Sequence, residues 1–209
     1  MTPKLSPLSI FNRKSQAAVL RFLWKSRAEW GGREIARQTG LSAPACHQAL
    51  KLLAAAGLVL FRRISNSHLY KINSDNYLVD KVFAPLFQAE AALPGRLIKT
   101  VDGFLARETA PGELLCAAVF GSMAGGREKL SSDLDLLLVT STAAAAAALE
   151  RRMQDLRGLV YKKFSVPVSP YIQPLAGLRA KHKKKLPLVL RILEENKLIR
   201  GKDLRELLQ

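Results

Sequence analysis

The residues with the clearest chemical potential are Asp133 and Asp135, which open the apolar run LDLLLV, and Gly121-Ser122, which is separated from them by ten residues and follows the run LLCAAVF. On a strand, residues two apart point to one face. Asp133 and Asp135 would therefore project side by side, while Leu134 and Leu136 enter the core behind them. Two like charges held that close repel, and a divalent cation relieves the repulsion. Hard carboxylate oxygens suit magnesium, or manganese in its place, and magnesium keeps positions for water and phosphate oxygens. A Gly-Ser turn between strand and helix offers free backbone N–H groups and a helix dipole to an anion, and glycine lets the anion approach closely. The two features together predict a metal and phosphate site. Asp133 and Asp135 would be its metal ligands, and Gly121 and Ser122 would meet the phosphate.

The charge of the whole chain agrees with a polyanionic partner. Lys and Arg number 33 against 17 Asp and Glu, a net charge of +16 over 209 residues. Such a field favours nucleic acid, nucleotides or an anionic surface. The longest apolar runs are too short to span a bilayer, and the opening MTPKLSPLSIFNRK lacks the core and cleavage site of a secretory signal. The expectation is a cytoplasmic protein with no membrane partner. Cys46 and Cys116 sit in separate apolar patterns and read as core filler.

Two half-chains must position these groups. In the first, Ser15 to Lys25 is a helix with Ser15 as its cap. REIARQTG is a second helix ending at Gly40, and LSAPACHQALKLLAAAG a third, with Ser42 as N-cap and Cys46, Ala49, Leu50 and Leu53 facing inward. LVLFRRI and HLYKI form a hairpin around Ser65-Asn66-Ser67. Three short helices and a two-stranded wing make a winged helix-turn-helix, whose second motif helix enters the major groove of duplex DNA. The outward residues of that helix are Ser42, Ala43, His47, Gln48 and Lys51. Gln48 suits adenine and Lys51 guanine or phosphate. The wing adds Arg62, Arg63 and Lys71 for phosphates and Asn66 and His68 near a groove.

Residues Tyr77 to Leu93 and Arg96 to Arg107 read as two helices broken at Pro94-Gly95. Strands follow at LLCAAVF, from Asp133 to Thr140, and from Val166 to Ile172. The prolines of the last place it at an edge. A helix lies between the second and third strands, and a helix, an extended piece and a short helix close the chain. The expected fold class is α+β within the mixed α/β types: residues 1–78 form the winged helix, 79–110 linker helices, and 111–209 a mixed sheet with flanking helices. The basic run Arg179 to Lys185 reads either as a solvated helix face or as a second phosphate-contacting patch.

Gly-Ser, ten residues, then Asp-x-Asp opening an apolar strand resembles the signature of the DNA polymerase beta-like nucleotidyltransferases, particularly the minimal ones. GREIARQTGLSAPACHQALKLLAAAGLV, RRISNSHLYKIN, APLFQAE and ILEENKLIRGKDL are similar to proteins that join a winged helix to such a domain. The resemblance implies that Gly121 and Ser122 bind nucleotide phosphate and that Asp133 and Asp135 hold metal ions as the catalytic carboxylates. It also implies a third carboxylate on the strand after the intervening helix. That strand is VPVSPYI here, and no Asp or Glu occurs between Asp155 and Glu194. Ser169 or Tyr171 falls near the position. The expected function is a DNA-binding transcriptional regulator, acting as a homodimer, whose second domain binds a nucleoside triphosphate with magnesium and transfers poorly. The alternative is an active nucleotidyltransferase that modifies a hydroxyl of a protein or small molecule.

Overall fold

The computed structural model describes residues 13–65, 67–124 and 133–209. Their contacts divide the chain into a first unit ending at Ala92 and a second beginning at Leu93. The protein is of the α+β class.

In the first unit, α1 (Lys14–Ser26) buries Val19, Leu20 and Leu23. It starts one residue before the expected position, so Arg13 is its extended N-cap and no side chain caps it. Ser15, already helical, cannot present its hydroxyl to the first orphan N–H groups. A two-residue strand, β1 (Trp30–Gly31), leads into α2 (Gly32–Thr39). Gly40 ends that helix in the left-handed region, at φ +66°, and its N–H returns to the Ala36 carbonyl. Helix α3 (Ala43–Ala55) opens with the Ser42 hydroxyl accepting from the Ala45 N–H and with a proline in its first turn, and it buries Cys46, Ala49, Leu50 and Leu53. Strands β2 (Val59–Ile64) and β3 (Ser67–Ile72) pair antiparallel as the wing. Strand β1 adds a third member beside β3, pairing Trp30 with Tyr70. Two residues carry no alternation, so this strand leaves no mark in the sequence. The element order and the wing give a winged helix-turn-helix.

A π-helical turn (Val79–Phe83) runs into α4 (Ala84–Glu108), which is one helix and not two. Pro94 lies inside it. A proline removes one backbone hydrogen bond and crowds the preceding turn. Alanines and leucines on both sides favour the helix strongly enough that it continues. Phe83 and Phe87 join the core of the first unit, whereas Leu97, Val101, Phe104 and Leu105 join that of the second.

The second unit is a four-stranded sheet in the order β6-β5-β4-β7, made of β4 (Leu114–Phe120), β5 (Leu134–Thr140), β6 (Val168–Pro174) and β7 (Asn196–Gly201). Strands β4 and β7 run antiparallel, β4 and β5 likewise, and β5 and β6 parallel. The parallel pair is joined by α5 (Ala143–Phe164), capped by the Thr142 hydroxyl. Strand β6 occupies the edge that its prolines require.

Strand β5 is apolar on both faces. Leu134, Leu136 and Leu138 pack with α4 and α5, while Leu137 and Val139 pack on the other side with α6 (Leu175–Lys183), α7 (Pro187–Glu194) and α8 (Leu204–Leu208). Each such leucine contributes about 1.5–3 kcal/mol by burial, which fixes the register of the strand and so the place of its first residues. Both cysteines are buried and unpaired. Burial, with a smaller push from Asp203, raises the Cys116 thiol to about 11.

Candidate functional site

The end of β5 carries the carboxylates. Asp133 immediately precedes the strand and is exposed, and Asp135 is half-buried two residues on. The backbone there is pinned by the Leu134 N–H, which donates to the Pro167 carbonyl at 2.8 Å. Asp135 faces Phe120 on β4 and Ser169 on β6.

Phe120 leads directly into a 3-10 turn (Gly121–Met123). Gly121 has φ +74°, and a Cβ there would collide with the Asp135 carboxylate. Glycine is therefore required twice over, for its backbone and for the space that the carboxylate fills. Ser122 lies in the same turn. The residues between Ala124 and Asp133 lie outside the described residues.

Strand register decides what stands beside the pair. Ser169 pairs with Asp135, and its hydroxyl donates to Asp133 Oδ2 at 3.2 Å. Tyr171 is one pleat further along, opposite Leu137, and its hydroxyl accepts from Lys181 at 3.0 Å. The neighbour of the carboxylates on β6 is thus a neutral hydroxyl.

Burial, and next the Asp133 charge, push the Asp135 carboxyl above its ordinary range, while Arg191 pulls it back. A half-buried carboxylate beside another is the environment a cation relieves, so the residues present fit one magnesium or manganese ion held by Asp133 and Asp135. Among the described residues no group of three His, Cys, Asp or Glu side chains converges closely enough to hold a metal. Beside the pair opens a cavity of about 310 Å³, lined by Gly121 from the turn after β4, by Asp135 from β5, and by Arg191, Glu194 and Glu195 from α7 and the residue after it. Arg191 and the two glutamates are contributions that the sequence did not mark.

The basic run Arg179 to Lys185 begins within α6. Arg179 donates to the Leu207 carbonyl at 2.9 Å, and Lys181 lies over the Tyr171 ring, so two of its cations have structural work.

In the first unit, Ser42, Ala43, His47, Gln48 and Lys51 are all exposed, on the side of α3 opposite its buried face. Ala43, His47, Ser67 and His68 line a cleft of about 420 Å³ with Arg33 at its edge. Arg33, in the first turn of α2, is a cleft cation that the sequence reading missed. The wing residues Arg62, Arg63, His68 and Lys71 are exposed as well, and Asn66 lies outside the described residues.

Two of the wing arginines are engaged within the protein. Arg62 donates from Nε to both Glu29 oxygens, at 2.9 and 3.0 Å, and Arg63 donates to the Ser65 carbonyl. The Arg62 guanidinium holds the Glu29 carboxyl below its usual range. Phe61 is 60% exposed and meets the His68 ring edge-on.

No protein-family model and no curated protein matches the chain. Among solved structures it is similar to a possible transcriptional regulatory protein of Mycobacterium bovis (fragment 1–100), at 21% identity over 44% of this chain and 97% of that one, with a TM-score of 0.30. It is also similar to Lactococcus lactis ZitR in a C30AH42A mutant apo form, at 20% identity over 48% and 83%, with a TM-score of 0.35. A toxin-antitoxin with AMP-PNP aligns at 14% identity over 52% and 77%, with a TM-score of 0.34. Among the described residues no helix is long and apolar enough to cross a membrane.

Proposed function

We propose that the chain is a DNA-binding transcriptional regulator, acting as a homodimer in the cytoplasm. Its second unit would bind a nucleoside triphosphate with magnesium or manganese. The observation that carries the DNA half is α3, whose buried stripe leaves Ser42, Ala43, His47, Gln48 and Lys51 exposed together on a chain of charge +16. A winged helix covers few base pairs, and two copies on a symmetric site give the affinity that one cannot. Retardation of genomic fragments tests this, and no retardation of any fragment at low salt removes it.

The nucleotide half is supported by Gly121 packed against Asp135, which sets a glycine turn beside a carboxylate pair. Asp133 and Asp135 would hold the ion, and the ion would offset charge on the phosphates. Gly121 and Ser122 would orient the phosphates through the turn. Transfer to an acceptor hydroxyl also needs that hydroxyl deprotonated, and Ser169 is no base at neutral pH. Binding without efficient transfer is the result. Incubation with α-labelled nucleotides and a cell extract separates this from the alternative, an active nucleotidyltransferase that modifies a protein or small molecule. Robust labelling that vanishes in Asp133→Asn establishes the enzyme instead.

A further inference from the structure

Arg191 stands on the wall of the cavity that Gly121 lines from the turn after β4 and Asp135 from β5. Other arginines of the second unit are engaged: Arg200 donates to Asp102 at 2.7 Å, Arg179 to a backbone carbonyl, and Arg152 pairs with Glu108. Among the described residues no hydrogen bond or ion pair engages the Arg191 guanidinium, although Glu194 follows it at a spacing that permits one. The guanidinium is exposed and borders the space beside the carboxylates.

The carboxylate side of that space is short of ligands. Two-metal sites clamp the entering and leaving oxygens with both ions, and the ions need shared carboxylates to hold them together. Here the third position is the Ser169 hydroxyl, which donates to Asp133 and so occupies an oxygen that a second ion would need. Glu194 and Glu195 line the same cavity, yet no three carboxylates converge among the described residues. Two carboxylates balance one divalent cation. The phosphates then still need positive charge, and a guanidinium fork supplies it with matched geometry.

We propose that Arg191 binds the phosphates of the nucleotide and stands in for a second metal ion, so that the site takes one divalent cation per chain. This rests on the nucleotide reading above. Arg191 touches the ligand directly, from α7, while the ion is held from β5. The cation count and the arginine contact are separately measurable.

Calorimetry with ATP and magnesium reads affinity on the full chain, and electron paramagnetic resonance of free manganese counts ions on the ATP-loaded chain. The expected count is one. Arg191→Ala weakens ATP binding about ten- to a hundredfold, the range for a hydrogen bond to a charged group, and leaves the count unchanged. Arg191→Lys keeps the charge but loses the fork, and falls between the two. Thermal unfolding of both variants should match the wild type, because the side chain is exposed. Two manganese ions on the wild type overturn the proposal, as does Arg191→Ala binding ATP within about twofold of wild type. If the wild type binds ATP and Arg191→Ala binds it equally, Arg191 alone loses its role. If the wild type binds none, the nucleotide reading fails and this inference with it.

Discussion

At the wing, Arg62 is held on the surface by Glu29, while at the mouth of β5 Asp135 is half-buried between Gly121 and Ser169 with a second carboxylate beside it. Both places gather charge of one sign, and both have a local offset. The wing's offset is a charge of opposite sign in open solvent, where an ion pair is worth little and exchanges readily. That suits the proposed function, in which the cation would trade a carboxylate for a DNA phosphate. Among the described residues the carboxylates are met by the Ser169 hydroxyl and the Arg191 charge. Their repulsion is what a cation would relieve, so on the proposed function the first site is latched and the second is primed.

The largest expected effect concerns the sheet that primes the second site. Gly201 has φ +86°, and a Cβ there would overlap the Leu115 carbonyl. Gly201→Ala should lower unfolding stability by about 2–4 kcal/mol, from a left-handed alanine and an overlap with backbone. Chemical denaturation reads this directly. An unchanged midpoint would mean that β4 and β7 can separate there at little cost.

Next in size is the salt response of the latched site. With about six phosphate contacts, the log-log slope of DNA affinity against salt should be near −5. Lys51→Ala should flatten it by about one contact. A flat response in fluorescence anisotropy would deny the comparison its first member.

A smaller effect tests the latch itself. Glu29→Gln frees Arg62 and removes an acid from beside the wing, so on the proposed function DNA affinity should rise about two- to fivefold, the scale of one exposed ion pair. Arg62→Ala should lower it. Weaker binding by Glu29→Gln would show that Glu29 orients the arginine and does not restrain it.

The smallest expected effect is on the primed site and depends on pH. Asp135 has its carboxyl raised, mainly by burial, so the folded state favours the protonated form and stability is lost as pH rises through the raised value. In metal-free protein, Asp135→Asn should therefore raise the unfolding midpoint at pH 7. The gain should disappear below about pH 4, where the ordinary carboxyl is also protonated. A gain that persists at low pH would assign the effect to packing.

What was legible in the sequence was local. The Ser42 cap, the Gly40 stop and the hairpin depend on residues a few positions apart, and each is found where cap and turn chemistry puts it. The buried stripe of α3 and the apolar body of β5 were legible for the same reason, through period. Contacts across long separations were not. Glu29 and Arg62 are 33 residues apart, and Ser169 and Asp133 are 36 apart, so neither pairing leaves a pattern in either segment. The β6 register, which chose Ser169 over Tyr171 as the neighbour of the carboxylates, follows from tertiary pairing alone. Pro94 was misread because a local rule about proline was outweighed by the helix formers around it.

The order β6-β5-β4-β7 leaves two strands at the margins of the sheet. Pro167 turns its carbonyl inward to Leu134, so alternate residues of β6 turn their backbone outward, Pro170 and Pro174 among them. Those two positions have no N–H to offer to another strand. The opposite margin, β7, exposes Lys197, whose charge repels a like copy. A filament built by adding sheet to sheet would have to start from one of these margins, and both are guarded. Even at high concentration, copies of this unit can collide repeatedly without their sheets fusing.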